Sequence, residues 1–302
     1  MKNLSIAFLP IALLVIAIPR IAFCQEIEKP NQAQPIEHTD ATPAGDAVAQ
    51  FSVASPFTDN AVLQRDMPLP VWGTAGAEKT VTVEFAGQKK SSDVDANGQW
   101  KVQLDPLPAN AQPQTLKVSD GTTRVAFSNV VVGEVWICSG QSNMQMSVNR
   151  VPQVKALIPE AKDIRSFEVK RTVALTEQDR CEGQWVEKHP DSAVAFGFAH
   201  FLQKESDVPV GIILTCWGSS SIEAWMPREM TAKVPHFKTM MEEFDADTET
   251  RDRITSILDG PKPWKGKEDV FLRRQTKILY NAIMHPLVPY ACRGLVWYQG
   301  GA

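Results

Sequence analysis

The sequence predicts an α/β protein whose largely parallel sheet is preceded by a small antiparallel β-sandwich. Three observations support this prediction. Residues 51–129 carry short alternating apolar runs separated by turn signals. After residue 130, continuous apolar runs alternate with segments of helical periodicity, a rhythm typical of parallel strands covered by helices. The 302 residues are 43% apolar and 22% charged, which is enough apolar material for about two domains.

The first residues are typical of a secretory signal. Lys2 precedes an apolar run over residues 4–18, which is too short for a membrane span. We predict a signal peptide over residues 1–24 and a secreted or periplasmic protein. A lipid anchor on Cys24 is an alternative. It is less favoured because Phe23 stands where a lipoprotein signal usually has a small residue. Residues 25–50 are rich in Pro, Ala, Gln and acidic residues, which predicts a flexible linker.

Charge and cysteine content narrow the classes of partner. The formal net charge is −4 with both signs spread along the chain, which argues against a nucleic-acid partner. Four cysteines follow the leader, and none stands beside histidines at ligand spacing, so we predict no metal site and no cofactor. They are Cys138, Cys181, Cys216 and Cys292. Disulfide bridges in an oxidising compartment and simple burial both stay open for them.

The predicted β-sandwich covers residues 51–129. Apolar residues alternate in three runs there, as expected for half-buried strands: Val81, Val83, Phe85, Trp100, Val102, Leu104, Leu116 and Val118. Asn97-Gly98 and Asp120-Gly121 separate the runs, and both pairs tolerate the positive φ of tight hairpins. We therefore expect antiparallel strands joined by hairpins.

The second predicted domain covers residues 130–302. Its pattern gives strands over residues 130–138, 208–214 and 294–298, and helices over residues 193–204 and 271–284, the latter closed by His285-Pro286. Residues 234–267 are polar and weakly periodic, and we expect a surface excursion with a short helix near residues 253–258.

A serine follows the first strand of this second domain. The buried run that begins at Gly133 leads into a turn of small residues that presents Ser142. Open α/β sheets bind ligands at the carboxyl ends of their strands, and a following helix directs backbone N–H groups toward an anion. The segment is not the Gly-x-Ser-x-Gly elbow of α/β-hydrolases, so from pattern alone Ser142 is either a nucleophile or an ordinary turn serine.

The sequence segment around Ser142 resembles that of a known family. Gly140-Gln141-Ser142-Asn143-Met144, preceded by the run over residues 133–139, is similar to the first catalytic block of the sialate O-acetylesterase family, a branch of the SGNH-type hydrolases. Further segments match that family in its own order: residues 57–65, 208–213, 217–225, 279–287 and 294–300. The resemblance implies an SGNH-hydrolase-like (flavodoxin-like) sheet. It also implies a secreted carbohydrate esterase that removes O-acetyl groups from sialic acid or related acetylated sugars.

The resemblance assigns roles to individual residues. It implies that Ser142 is the nucleophile, and that its N–H, the N–H of Gly218 and the amide of Gln299 form the oxyanion site. Asn143, Glu223 and Trp225 are candidates for substrate contacts. From the residues alone, other roles stay open. Gly218 could be an ordinary turn glycine, and Gln299 a polar residue at a strand end. Asn143 could cap a helix, and Trp225 could pack in the core.

The catalytic base is the missing part of this pattern. A serine esterase needs a base, usually a histidine, and the family supplies it in an Asp-x-x-His element near its carboxyl end. None of the five histidines of the chain has Asp three residues before it, and Gln299-Gly300-Gly301 replaces the family's Gln-Gly-Glu. We therefore expect a chain truncated at its carboxyl end and inactive or nearly so. The alternative is a secreted glycan-binding protein without catalysis.

Overall fold

The computed structural model describes residues 50–300, which form a mixed α/β fold with a mixed sheet. The predicted signal peptide, Cys24 and residues 25–49 of the predicted linker lie outside the described residues. Within the described range, none of the helices has the length and apolar character that a membrane crossing requires.

Eight strands build the first part of the fold. They are β1 (Ser52–Val53), β2 (Val62–Gln64), β3 (Leu69–Thr74), β4 (Thr80–Phe85), β5 (Gln88–Asp93), β6 (Gln99–Leu104), β7 (Asn110–Ser119) and β8 (Arg124–Gly140). β1, β3 and β6 form one antiparallel sheet, while β5, β4, β7 and β8 form a second antiparallel ladder. The predicted alternation is confirmed, because Val81, Val83 and Phe85 are buried and the residues between them are less so. Inward side chains of both sheets join one apolar core.

The Asp120-Gly121 turn is confirmed as a hairpin, since it joins the paired strands β7 and β8. Gly121 has φ +86°, and Asp120 Oδ1 accepts hydrogen bonds from the N–H groups of Thr122 and Thr123 at 3.0 and 2.6 Å. Lys79 Nζ lies 2.5 Å from Asp120 Oδ2. The hydrogen bond from Lys79, helped by these backbone donors, lowers the pKa of Asp120 to about 2.

The Asn97-Gly98 turn is not a hairpin, so this part of the prediction is wrong. Gly98 does adopt a positive φ of +74°. However, the turn leads from β5 to β6, and these strands belong to different sheets because β6 pairs with β3. The local sequence specified the turn, whereas the pairing partner of β6 lies about thirty residues earlier in the chain.

The long strand β8 connects both parts of the fold. Its first half pairs antiparallel with β7, and its second half runs through the predicted domain boundary near residue 129 into the parallel ladder. The buried carboxylate of Glu134 on this strand lies 2.6 Å from Arg65 Nε and 3.0 Å from Arg293 Nε. Burial raises the pKa of Glu134, but hydrogen bonds from both arginines outweigh it and hold the pKa below its usual value. The division into two domains stays a prediction.

Four further strands complete the mixed sheet: β9 (Ile164–Glu168), β10 (Trp185–Val186), β11 (Val210–Leu214) and β12 (Gly294–Tyr298). β9, β11, β8 and β12 are neighbours in that order and run parallel, while β10 is antiparallel at the edge. The predicted strands at residues 208–214 and 294–298 are therefore confirmed as β11 and β12 within two residues.

The helices are α1 (Ser142–Gln145), α2 (Pro152–Lys155), α3 (Ala193–Ser206), α4 (Arg228–Thr231), α5 (Pro235–Ala246), α6 (Thr248–Leu258) and α7 (Gly266–Leu272). The predicted helix at residues 193–204 is confirmed as α3. Ser192 caps its N-terminus, because its side chain accepts from Ala195 N–H at 3.0 Å. The helix packs against one face of the parallel strands.

Two helix predictions differ from the structure. The expected continuous helix over residues 271–284 is broken: α7 ends at Leu272, and a π-helical turn follows only at Tyr280–Met284. Between them, Lys277 has φ +59° and donates its N–H to the carbonyl of Glu223 at 2.9 Å, so tertiary bonds replace helical ones. The expected surface excursion contains α6, which is longer than the predicted short helix near residues 253–258, and α5, which was not predicted. Few buried apolar residues dock these helices: Met241 and Phe244 on α5, and Ile254 on α6.

Candidate active site

The candidate site lies at the carboxyl ends of three adjacent parallel strands, β11, β8 and β12. Leu214 is in register with Cys138, and Tyr298 is in register with Gly140. The ladder continues past the strand ends, because Trp217 N–H donates to the Gly140 carbonyl at 3.0 Å and Gln141 N–H donates to the Tyr298 carbonyl at 3.1 Å. Ser142, Gly218 and Gln299 each follow one of these strands, and the sheet thus brings the three loops that carry them to one edge.

Gly140 sets the close approach between β8 and β12. It has φ +137°, a conformation that favours glycine. A Cβ at this position would lie 2.1 Å from the carbonyl oxygen of Tyr298. The turn that presents Ser142 therefore depends on the absence of a side chain two residues earlier.

Ser142 is exposed at the first position of α1. Within residues 50–300 its hydroxyl has no hydrogen-bond partner, and backbone N–H groups in the first turn of a helix are not used by the helix itself. Both the hydroxyl and the N–H of Ser142 are therefore available to a ligand.

Gly218 faces Ser142 directly. A Cβ on Gly218 would lie 3.5 Å from Ser142 Cα and 3.6 Å from Ser142 Cβ, which is van der Waals contact. The N–H of Gly218 donates to Gln145 Oε1 at 2.6 Å. Gln145 lies three residues after Ser142 on α1. Its side-chain carbonyl therefore accepts the Gly218 N–H that the resemblance assigns to the oxyanion. Sequence reasoning missed Gln145, since only the folded loop shows this contact.

Gln299 lies beside the same loop. Its Nε2 donates to the carbonyl of Ser220 at 3.1 Å, and its Oε1 is buried without a partner among the described residues. An amide nitrogen carries two hydrogens, so one N–H of Gln299 remains free to donate toward a ligand.

The three residues suggested for substrate contacts differ in position. Trp225 is 5% exposed, donates its indole N–H to Ser220 Oγ at 2.9 Å, and packs edge-on against Trp297. These are packing contacts that support the loop from beneath. Asn143 and Glu223 are half-buried, and the backbone carbonyl of Glu223 accepts from Lys277 N–H. Their side-chain roles toward substrate stay predictions.

The described histidines make their contacts elsewhere. His189 Nδ1 lies 2.9 Å from the Pro190 carbonyl, and buried His200 lies 4.0 Å from the Glu160 carboxylate. His285 Nδ1 lies 2.9 Å from the Gln178 carbonyl. Within the described part of the chain no imidazole, that of His236 included, hydrogen-bonds Ser142; His38 lies outside the described residues.

The four described cysteines are free thiols, of which Cys138 and Cys216 are buried and Cys181 and Cys292 half-buried. Burial raises the pKa of Cys181 and of Cys216 to about 11, and it raises the pKa of Cys138 further. Residues 50–300 contain no group of three or more His, Cys, Asp or Glu side chains arranged to hold a metal ion.

Comparison with known proteins identifies the family of the chain. It belongs to the SASA family of sialic acid-specific acetylesterases, which matches residues 132–288. The sialate O-acetylesterase of Rattus norvegicus is 29% identical over 83% of this chain and 52% of its own length, and that of Homo sapiens is 28% identical over 83% and 48%. The crystal structure of a carbohydrate acetylesterase from Xanthomonas citri is similar with a TM-score of 0.66 at 29% identity, covering 83% of this chain and 51% of that chain. The chain thus spans about half the length of the relatives it matches.

Proposed function

We propose that the chain carries the nucleophile and oxyanion site of a secreted carbohydrate esterase that hydrolyses O-acetyl groups on sialic acid or related acetylated sugars. Ser142 is the nucleophile. The N–H groups of Ser142 and Gly218 and the amide of Gln299 stabilise the oxyanion. The proposal includes an SGNH-type parallel sheet behind a small β-sandwich, and it draws its substrate class from the relatives named sialate O-acetylesterase.

One observation carries the proposal: Ser142 and Gly218 follow different strands, yet a Cβ added to Gly218 would lie 3.5 Å from Ser142 Cα, so the two residues are neighbours at the carboxyl edge of the sheet. An exposed hydroxyl opposite a glycine N–H is the arrangement that an acyl-transfer reaction needs, because the attacked carbonyl must lie between nucleophile and donor. Both residues lie within the segment that matches the esterase family.

The chemistry follows from these positions. Ser142 Oγ attacks the acetyl carbonyl carbon, and its proton passes to a base. The carbonyl oxygen becomes an oxyanion that accepts hydrogen bonds from the proposed donors. The protonated base then gives this proton to the sugar oxygen, which leaves as the free hydroxyl, and water attacks the acetyl-serine to release acetate and regenerate Ser142. For these steps to occur, Gln145 must release the N–H of Gly218, because one N–H cannot fully serve both Gln145 Oε1 and the oxyanion.

None of the described histidines hydrogen-bonds Ser142, and we therefore assign the base to none of them. We therefore expect this protein to hydrolyse acetyl esters slowly on its own. Added imidazole would then act as a diffusible base, provided that the nucleophile and donors are in place.

The test compares hydrolysis of p-nitrophenyl acetate and of O-acetylated sialic acid by the protein and by Ser142→Ala, each with and without imidazole. Ser147→Ala is the matched control, because Ser147 lies on the same segment but bonds Asp191 at 3.0 Å. We expect hydrolysis above background for the protein and for Ser147→Ala, and background rates for Ser142→Ala. Equal rates for the protein and Ser142→Ala would refute the proposal. Glycan binding in that case would favour a lectin-like role.

A further inference from the structure

A row of polar side chains lies on the sheet directly beneath the candidate site. Ser139 on β8 is in register with Trp297 on β12. On its other side, the pairing of Leu214 with Cys138 continues by one residue, because Thr215 N–H donates to the Cys138 carbonyl at 3.0 Å. Thr215, Ser139 and Trp297 therefore occupy one row across three adjacent strands, and in parallel strands residues of one row point to the same face.

All three side chains carry buried polar atoms without partners. Ser139 is 0% exposed and Thr215 is 2% exposed. Ser139 Oγ, Thr215 Oγ1 and Trp297 Nε1 have no hydrogen-bond partner among residues 50–300. A buried hydroxyl or indole N–H that stays unpaired costs free energy, so native proteins pair such groups with protein or with ordered water.

The geometry of the row suits a bridging water better than a direct bond. Hydroxyls on neighbouring strands can bond directly, as those of Ser52 and Thr74 do at 2.8 Å. Ser139 Oγ and Thr215 Oγ1 make no such bond with each other or with any other described residue. A water molecule that makes two hydrogen bonds of about 2.8 Å bridges groups up to about 5.6 Å apart. Two hydroxyls and one indole N–H also supply the three or so polar partners that a buried water requires.

The row leads to Gln299. Gln299 directly follows β12, two residues after Trp297, and both contact the same neighbours: Gln299 Nε2 bonds the Ser220 carbonyl, and Trp297 packs against Trp225, whose indole N–H bonds Ser220 Oγ. Its Oε1 is the further buried atom here without a partner among the described residues, while its Nε2 is held by the Ser220 carbonyl. Gln299 Oε1 therefore needs a hydrogen-bond donor, and the neighbouring row carries three unused ones on Ser139, Thr215 and Trp297.

We propose that Ser139 and Thr215 hold a buried water molecule that donates a hydrogen bond to Gln299 Oε1. With Nε2 bonded to Ser220 and Oε1 bonded to this water, the Gln299 amide cannot flip, and its second N–H is fixed toward Ser142. Ser139 and Thr215 are thus positioning residues, and this part of the inference rests on the proposed function of Gln299.

A stability measurement tests the water independently of activity. Thr215→Val removes the hydroxyl of Thr215 and keeps nearly the same side-chain shape, and Ser139→Ala removes the hydroxyl of Ser139. If both hold one water, each raises the unfolding equilibrium constant about 3- to 10-fold in urea titrations, and the double variant adds little to either single change. A Thr215→Val protein that is more stable than the parent, or fully additive losses, would overturn the shared water.

A kinetic measurement tests the positioning. We expect Thr215→Val to lower kcat for acetyl-ester hydrolysis about tenfold at unchanged KM, and Thr215→Ser, which keeps the hydroxyl, to restore kcat. A non-additive stability cycle with unchanged kcat in Thr215→Val would overturn the link to Gln299. Failure of the proposed function is seen separately, as hydrolysis that does not depend on Ser142.

Discussion

Replacing Gly140 by alanine should destabilise the protein by about 3 kcal/mol or more. The added Cβ would lie 2.1 Å from the Tyr298 carbonyl oxygen, so β12 must move away by about 1 Å to reach van der Waals distance. That movement breaks the 3.1 Å bond from Gln141 N–H, worth about 1 kcal/mol. The φ of +137° adds strain of about 1–3 kcal/mol for a residue with a side chain.

Gly121→Ala is the matched control for this prediction. Gly121 also has positive φ, at +86°, but a Cβ there meets nothing within 4 Å. Its replacement should therefore cost only the backbone strain, about 1 kcal/mol. Urea unfolding followed by tryptophan fluorescence measures both. If Gly140→Ala loses no more unfolding free energy than Gly121→Ala, the close approach of β12 to the Ser142 turn is wrong.

Three further predictions concern the site and the fold. Gly218→Val should lower kcat about a hundredfold or more without unfolding the protein, because its side chain would contact Ser142. Gln145→Met should raise kcat/KM for acetyl esters up to about tenfold, because it keeps the bulk but frees the Gly218 N–H for the oxyanion. Asp120→Asn should cost about 2 kcal/mol of unfolding free energy at pH 7. Because the folded pKa is depressed to about 2, this cost should be full above pH 4 and fade as the pH falls toward 2.

Each of these has a clear contrary result. A folded Gly218→Val protein with parental kcat would remove Gly218 from the oxyanion site. A lowered kcat/KM in Gln145→Met would mean that Gln145 supports the loop rather than competes for the Gly218 N–H. For Asp120, a cost that persists at pH 2 would show that the carboxylate charge is not what stabilises the turn, and Lys79→Met should reproduce part of the loss at pH 7.

Local patterns predicted the elements whose signal is local. Val81, Val83 and Phe85 alternate because one face of β4 is buried, and Gly121 marks a turn because it needs positive φ. The pairing of β6 with β3 is not encoded within any short window, so Asn97-Gly98 was assigned to a hairpin. Helix α5 escaped prediction because Met241 and Phe244 alone supply its buried contacts.

The candidate site divides in the same way. Ser142, Gly218 and Gln299 could be named from the sequence because each sits in a segment that resembles the family. Gln145, Ser139 and Thr215 could not, since their relevance depends on strand register and on which side chains meet after folding. Trp225 was suggested as a substrate contact because aromatic residues line sugar sites, but only the structure shows that it is buried.

The most direct test of the central claim is to map the site of a covalent serine-directed probe. The purified protein is treated with a fluorophosphonate in the presence of imidazole, digested, and sequenced by mass spectrometry. The account predicts one adduct, on Ser142, that is lost in Ser142→Ala and reduced in Gly218→Val. A folded protein that carries no adduct on Ser142, or carries it on another serine, would contradict the account.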